Sequence, residues 1–452
     1  MPTEQDYHKA LMTRDPFWIS LSPTAVKRRL DQILNAPDAA AIVRQLSPVE
    51  YVVLLKESPE TRSQLLALAT PHQVRTTLDL DCWHKDSLQS TRVLAWVDEL
   101  QHSGPEVFIQ ALSELDVELL IATFRKHVRV HATLPSEEED DPGYYDEVLS
   151  NELYRIEFID QNTDVQERIR RILNTLRMSD LNLYHGLMQH IMWGQESESE
   201  HWAHRWKSGR LQDEGFPDYY EALETYRLSD LEQPLPPAPA SLPSPGSPES
   251  AEASGLVPAY AWSLTPSDSF LAQALLGEVP TATQERLCWE MVYLCNRELI
   301  VDQIDFAEAA AVRASLARVH AYLNMGLEYL SGYDIQQLVP LLTRRSLQEI
   351  FQIGFTLSIR LHQRALHLQT HLNRGSGVRR ALSGLGRRVL DGLLRRPPQF
   401  FEGLLRPGLV AYRDFSHLQD VALVDPVLTT LERHPASRLG HSGSPDLSLR
   451  RA

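Results

Sequence analysis

Along the first third of the chain, apolar positions recur at three- and four-residue intervals in short bursts. Ala39, Ile42, Val43 and Leu46 make one stripe, Val52, Val53 and Leu55 a second, and Leu65, Leu66 and Leu68 a third. Such spacing puts each set on one face of a helix. The bursts are introduced by Ser47-Pro48, Ser58-Pro59 and Thr70-Pro71, which stand 11 and 12 residues apart. In each pair the hydroxyl can accept a hydrogen bond from a first-turn N–H, and proline at the first helical position gives up a donor that had no partner. Ser47-Pro48-Val49-Glu50 and Thr70-Pro71-His72-Gln73 also have capping-box spacing, in which the third-position side chain reaches back to the cap's own N–H. Helices this short cannot bury their stripes alone, so they must stack on one another. Residues 91–101, 105–112 and 117–131 continue the series, with Ser103 and Asp116 as expected caps. The pattern predicts a superhelical array over 1–134.

Farther along the pattern changes. Glu137, Glu138, Glu139, Asp140, Asp141, Asp146 and Glu147 crowd around Pro142-Gly143, which reads as a solvated acidic loop over 135–150. Residues 153–159 alternate apolar and polar, the signature of one short strand. Asp164-Val165-Gln166-Glu167 repeats the capping-box pattern, and helices are expected over 181–193 and 200–211. Gly215-Phe216-Pro217-Asp218 is a turn and cap before 219–226, completing a middle helical region over 151–232. Residues 233–256 are rich in proline and serine and cannot form a core, so they read as an exposed linker. Beyond it, Thr281-Ala282-Thr283-Gln284 is expected to cap a helix reaching 301, and 306–330, 334–342 and 346–373 predict longer helices. The resulting fold class is all-α: the N-terminal array, the middle region, a C-terminal bundle over 257–433 and a disordered tail over 434–452.

Sixty acidic residues against 44 Lys plus Arg give a formal charge of −16. That balance opposes a chain built mainly to coat nucleic acid or anionic lipid. Lysine occurs six times, at Lys9, Lys27, Lys56, Lys85, Lys126 and Lys207, so arginine carries nearly all positive charge in the second half. By itself this reads as a compositional habit. Cys82, Cys288 and Cys295 match neither a disulfide framework nor a zinc motif and are expected in the core. Residues 1–19 lack the apolar core of a secretory signal, and no window supplies the roughly 20 apolar residues that span a bilayer. A cytoplasmic location is the expectation.

Three blocks carry a resemblance. Ala41-Ile42-Val43-Arg44-Gln45-Leu46-Ser47-Pro48, followed by residues 65–70 and Leu78-Asp79-Leu80-Asp81-Cys82-Trp83, resembles an uncharacterised bacterial family known only as a domain of unknown function. The second block is Arg205-Trp206, Arg210-Leu211, Gly215-Phe216-Pro217-Asp218 and Glu221-Ala222-Leu223-Glu224-Thr225-Tyr226; the third is Phe351-Gln352-Ile353-Gly354-Phe355 with Leu357 and Arg360-Leu361. The resemblance implies a helical fold and transfers no chemistry. The N-terminal ladder is also similar to the superhelical cytoplasmic domain of MgtE-type magnesium transporters and to the helical arrays of flagellar motor-switch proteins, which act as docking or regulatory modules. That likeness is one of fold alone.

No glycine-rich phosphate loop, nucleophile elbow or recognised Cys/His arrangement appears, and no cofactor is expected. Histidines supply the nearest approach to a metal site. His127 with His131, and His367 with His371, are four apart and would share a helix face. His185, His190, His201 and His204 cluster with Glu196, Glu198, Glu200 and three tryptophans, a set from which a hairpin could assemble nitrogen and carboxylate ligands. Surface or interfacial histidines are the plainer reading, since sequence proximity supplies neither convergence nor supporting hydrogen bonds. Asp218 is expected as an N-cap, with Glu221 and Glu224 filling an exposed helix face or pairing arginines such as Arg205 and Arg210.

A basic amphipathic segment lies between Arg374 and Arg396, where seven arginines face one acid, Asp391. Val378, Leu382, Leu385, Val389 and Leu393 recur at helical intervals, with Arg380, Arg387, Arg388 and Arg395 largely opposite. Those four arginines are candidates for an acidic protein partner; anionic lipid or nucleic acid, if contacted at all, would be met only through 374–396. The alternative is internal pairing with acids such as those of 137–147. The sequence thus points to a non-enzymatic scaffold or regulatory interaction module, with a metal-dependent enzyme using the 185–204 cluster as the rival.

Overall fold

The computed structural model describes residues 4–133, 145–193, 196–232, 257–374 and 384–433. Most of the expected acidic loop, the proline-rich linker, the tail and Arg380 lie outside these residues. By contact the chain divides into two compact units. Residues 1–224, 245–264 and 291–316 form the first, and 225–244, 265–290 and 317–452 form the second. The fold is mainly α-helical, with three two-stranded sheets among the described residues.

The first unit opens with α1 (Glu4–Met12), α2 (Pro16–Ser20), α3 (Pro23–Leu34), α4 (Ala39–Gln45), α5 (Pro48–Glu57), α6 (Arg62–Leu68), α7 (Pro71–Asp81), α8 (Ser90–His102), α9 (Pro105–Glu114) and α10 (Val117–Arg125). A hairpin of β1 (Trp83–His84) and β2 (Ser87–Leu88) separates α7 from α8. Each helix packs on the next but one: α3 on α5, α4 on α6, α5 on α7, α6 on α8, α7 on α9 and α8 on α10. This staggered stacking buries Val43, Val53, Leu55, Leu65, Val93 and Leu100 completely, as short helices with single apolar stripes require.

The caps explain where these helices start, and several differ from expectation. Thr70 accepts from the Gln73 N–H at 3.2 Å while the Gln73 side chain accepts from the Thr70 N–H at 3.1 Å, a complete capping box. Ser47 accepts from the Glu50 N–H at 3.4 Å, but the Glu50 carboxylate turns to Arg29 at 2.8 Å. Ser58 makes no cap bond, and Pro59–Thr61 is a 3₁₀ turn. The same device occurs earlier, unforeseen, at Asp15-Pro16 and Ser22-Pro23. Ser103 closes α8 instead of opening α9; the cap is Gly104, whose φ of +113° suits glycine. Asp116 precedes α10 without a cap bond because Arg210 holds its carboxylate at 2.7 Å.

The expected helix over 117–131 ends at Arg125. Residues Val128–Ala132 form β3, antiparallel to β4 (Tyr154–Phe158), with Val130 opposite Ile156. Val128, Val130, Tyr154 and Ile156 are buried on one face while Arg129 and His131 are exposed, the period of two that distinguishes a strand. The strand expected near 153–159 therefore has a partner, and His127 and His131 share no helix. Then come α11 (Thr163–Ser179), capped by Asn162 rather than Asp164, α12 (Leu181–Trp193), α13 (Glu196–Asp213), α14 (Tyr219–Leu223) and α15 (Tyr260–Ser263).

The second unit contains α16 (Phe270–Leu275), α19 (Leu338–Arg344), α20 (Leu347–Arg374), α21 (Gly384–Leu393), β5 (Gln399–Phe401), β6 (Tyr412–Asp414) and α22 (Leu418–Arg433). Two further helices, α17 (Thr281–Val301) and α18 (Ala309–Ser331), contribute residues 281–290 and 317–331 to it and the rest to the first unit. Thr281 lies inside α17, whose first turn closes on the Pro280 carbonyl. Helices α18 and α20 cross at glycine: a Cβ on Gly326 would lie 2.1 Å from the Ile350 carbonyl oxygen, and one on Gly354 would lie 1.9 Å from that of Tyr322. Phe351 and Phe355 meet the Tyr322 ring beside this crossing. The third family-like block is thus a backbone crossing. Among the described residues no helix is long and apolar enough to cross a membrane.

Candidate functional site

Within the first unit, the end of α7, the β1–β2 hairpin, α13, the turn before α14 and residues 299–306 enclose a cleft of about 220 Å³. Two of the family-like blocks meet there. Asp79, Asp81 and Trp83 come from one, and Leu211, Pro217 and Asp218 from the other. Leu211, Pro217, Leu299 and Phe306 supply apolar wall, Trp83 and Tyr219 aromatic wall, and Lys85, Lys207, Arg92, Gln89, Gln303 and His84 polar groups.

Each carboxylate at the cleft is held by its own donors. Asp79, fully buried, accepts from Arg210 Nε and Nη2 at 2.9 Å each. Burial nevertheless raises its carboxyl above the ordinary range, with the guanidinium opposing. Asp81 accepts from Lys56 at 2.9 Å, the Trp96 indole at 2.8 Å and Arg92 at 3.3 Å. Asp305 accepts from the Ala307 N–H at 2.9 Å, Lys56 at 3.3 Å and Arg92 at 3.4 Å. Although burial works against it, those donors hold the Asp305 carboxyl below its usual value. Asp218 caps α14, accepting from the Tyr220 and Glu221 N–H groups at 2.8 and 3.0 Å, as the sequence indicated.

Two lysines differ. Lys207, half-buried on α13, donates to the Lys85 carbonyl at 3.4 Å and lies 5.1 Å from the Trp83 ring. Lys85, at the hairpin tip with φ +57°, lies 4.9 Å from the Tyr219 ring. Neither has a carboxylate within 4.0 Å among the described residues. Desolvation pushes the Lys207 amine down to about 8, against the pull of Asp79, Asp218 and Asp86. The neighbouring His204 is lowered by burial and by the Lys207 charge.

The four candidate histidines have separate surroundings. On α12, His185 packs against Tyr154 and Tyr184, and His190 Nδ1 lies 2.7 Å from the Gly186 carbonyl. On α13, His201 lies against Trp202 and His204 against Trp83. Glu200 is engaged by Lys126 at 2.9 Å and by the Leu88 N–H at 2.8 Å. Among the described residues no group of three or more His, Cys, Asp or Glu is placed to hold a metal ion. His367 and His371 do share a face of α20, their Nε2 atoms 3.2 Å apart. His127 instead joins Ser90, at 2.9 Å, to Asp160, at 3.1 Å. The connectivity resembles a hydrolytic triad, but the hydroxyl is buried and the carboxylate faces solvent, the reverse of what an attacking serine needs. It pins α8 to the β3–β4 hairpin.

The basic segment keeps its charge on the surface. Arg387, Arg388 and Arg395 are all exposed, Arg387 at 71% on α21 and 3.9 Å from Asp391. Arg388 lies over Phe401, and Arg395 lies 4.0 Å from the Tyr412 ring centre. Aromatic rings of β5 and β6, invisible as a sheet in the sequence, line one side of these two arginines, which stay exposed. Glu221 pairs with Arg297 at 3.6 Å rather than with Arg205 or Arg210. Cys82, Cys288 and Cys295 are buried free thiols, and burial raises each.

The outer side of α13 has a different chemistry. Trp202 and Trp206 are 36% and 49% exposed and stack with centroids 6.3 Å apart. The Arg205 guanidinium lies 5.3 Å from the Trp202 ring. One helix thus presents Lys207, Arg210 and Leu211 to the cleft and its neighbours, and an aromatic pair to solvent.

Sequence reasoning found the blocks but passed over the cleft's chemistry. The signal was lysine itself: of six in the chain, Lys85 and Lys207 line the cleft, and Lys56 holds two of its acids. A residue type so rare and so concentrated marks a place.

Over residues 8–444 the chain matches a family described as a family of unknown function (DUF6178), and it belongs to that family. No curated protein and no solved structure matches it. The membership carries no activity.

Proposed function

We propose that the protein is a non-enzymatic helical scaffold that docks another protein through the outer face of α13. The observation that carries this reading is the exposed, stacked Trp202–Trp206 pair with Arg205 laid on it. Tryptophan and arginine dominate binding energy at protein interfaces, tryptophan because it buries a large rigid area and arginine because its planar fork hydrogen-bonds and stacks at once. The partner is a protein segment that lays an apolar side chain against the indoles and places a carboxylate on Arg205. The staggered N-terminal helices support the reading through their likeness to docking arrays, as an analogy of fold.

The test begins with material retained from the protein's own cells by wild-type protein and by a Trp202→Ala/Trp206→Ala variant. A retained protein is then purified and titrated against both. Expected is binding at least about 30-fold weaker for the variant, with further weakening by salt. Equal affinity for both, or retention of nothing but a second copy of the chain, overturns the reading.

A further inference from the structure

The geometry points to the first-unit cleft as a binding site for a small organic anion, a carboxylate or phosphate ester with an apolar body, for which Lys207 is the counter-ion. This goes beyond the docking surface and rests on different residues.

The argument is one of charge. Asp79, Asp81 and Asp305 are paired with Arg210, Lys56 and Arg92, and Asp218 is engaged by the first-turn N–H groups of α14, so none of the four makes a direct ion pair with Lys207 or Lys85. Lys207 and Lys85 have instead an aromatic ring apiece, at 5.1 and 4.9 Å. An ammonium withdrawn from water without a carboxylate is costly unless something negative arrives. The depressed Lys207 amine is the signature of that cost. An incoming anion stabilises the ammonium form and gains a charge-assisted hydrogen bond.

The walls select the rest of the ligand. Trp83, Tyr219, Leu211, Pro217 and Phe306 favour an apolar or planar body, while Gln303 and Gln89 can orient polar substituents. At about 220 Å³ the space is below that of sites for drug-sized molecules, commonly about 300–1,000 Å³. A metabolite with a single ring fits this description. Lys85, on the rim, would meet the anion as it enters.

Full-length protein is titrated by calorimetry with phenyl phosphate, benzoate and the neutral benzyl alcohol. Expected is one-to-one binding of at least one anion with Kd on the order of 1 mM or tighter, and no comparable binding of the alcohol. Lys207→Met should weaken the preferred anion about 30-fold or more, and Lys85→Gln about two- to fivefold. Preference for phenyl phosphate assigns a phosphate ester; preference for benzoate assigns a carboxylate. Failure of both anions to saturate, equal binding of the alcohol, or an unchanged Kd in Lys207→Met overturns the proposal. A second measurement needs no variant: trinitrobenzenesulfonate labelling with peptide mapping. Lys207 should label with an apparent pKa of about 8 and be shielded by the preferred anion; labelling unaffected by a saturating anion overturns the proposal as well. Loss of the tryptophan docking face leaves these outcomes unchanged, so the two readings fail separately.

Discussion

Arg210→Met tests the electrostatic support of the cleft. Arg210 spans α13, α7 and the start of α10, donating two hydrogen bonds of 2.9 Å to Asp79 and reaching Asp116 at 2.7 Å. Methionine fills much of the space and removes the charge, leaving Asp79 at 2% exposure without its strongest donor. Breaking a buried pair by removing one partner costs about 3–5 kcal/mol. Because the Arg210 side chain keeps 22% exposure, water can partly replace it, and about 3 kcal/mol is expected. Asp79→Asn combined with Arg210→Met should recover about 1–2 kcal/mol, since no buried charge is then stranded. The sign of the pH dependence follows from Asp79. Its folded pKa is already raised by burial, and losing Arg210 raises it further. A carboxyl raised on folding contributes stability at low pH that is lost as pH rises through the folded value. The deficit of the single variant should therefore shrink as pH falls from about 8 toward about 5. Urea unfolding followed by tryptophan fluorescence measures it. A cost under about 1 kcal/mol at pH 7, or one independent of pH, would refute the buried pair.

Thr70→Ala should destabilise the protein by about 0.5–2 kcal/mol, whereas Ser58→Ala, which removes no cap bond, should stay within about 0.5 kcal/mol of wild type in the same urea assay. Gly326→Ala should cost about 1–3 kcal/mol by forcing α18 from α20, while Gly209→Ala, with open space at its Cβ on α13, should gain up to about 1 kcal/mol; equal thermal shifts would contradict the crossing. His417 lies 2.8 Å from buried Glu328, whose hydrogen bond raises the imidazole pKa above its ordinary 6.5. Its contribution is full below 6.5 and lost as pH rises through the raised value, so His417→Gln should flatten the decline in melting temperature across that window. A wild-type decline retained in the variant would exclude His417.

Local signals in the sequence were enough for the helical class and most helix starts. Thr70 with Gln73 and Asp218 with its two N–H groups act within three residues of themselves, and such interactions require no distant contact. The buried thiols of Cys288 and Cys295 followed from their place on an apolar helix. Where a local signal met a distant partner, the distant partner prevailed. Glu50 gives up its capping box to Arg29, and Asp116 its cap to Arg210, because a guanidinium brings a full opposite charge that a backbone N–H lacks. Residues Val128–Ala132 extend helical periodicity on paper but pair with β4, whose partner edge lies more than 20 residues away in the chain.

The cleft belongs wholly to tertiary structure. Lys207 and Trp83 are separated by 124 positions, and only the packing of α13 against α7 brings the amine to the ring. The rarity of lysine was visible in composition, but rarity carries no position until folding withdraws one ammonium from water without giving it a carboxylate. Arg388 and Arg395 make a related point. Read along a helix they face outward together, and both stay exposed, but the β5–β6 rings they lie over come from a sheet that no local pattern announced. Capping and helical period are set by neighbours in the chain, so sequence alone determined them. Which charges are paired, buried or free depends on the dielectric and the donors that distant segments supply, and only the folded chain decided that.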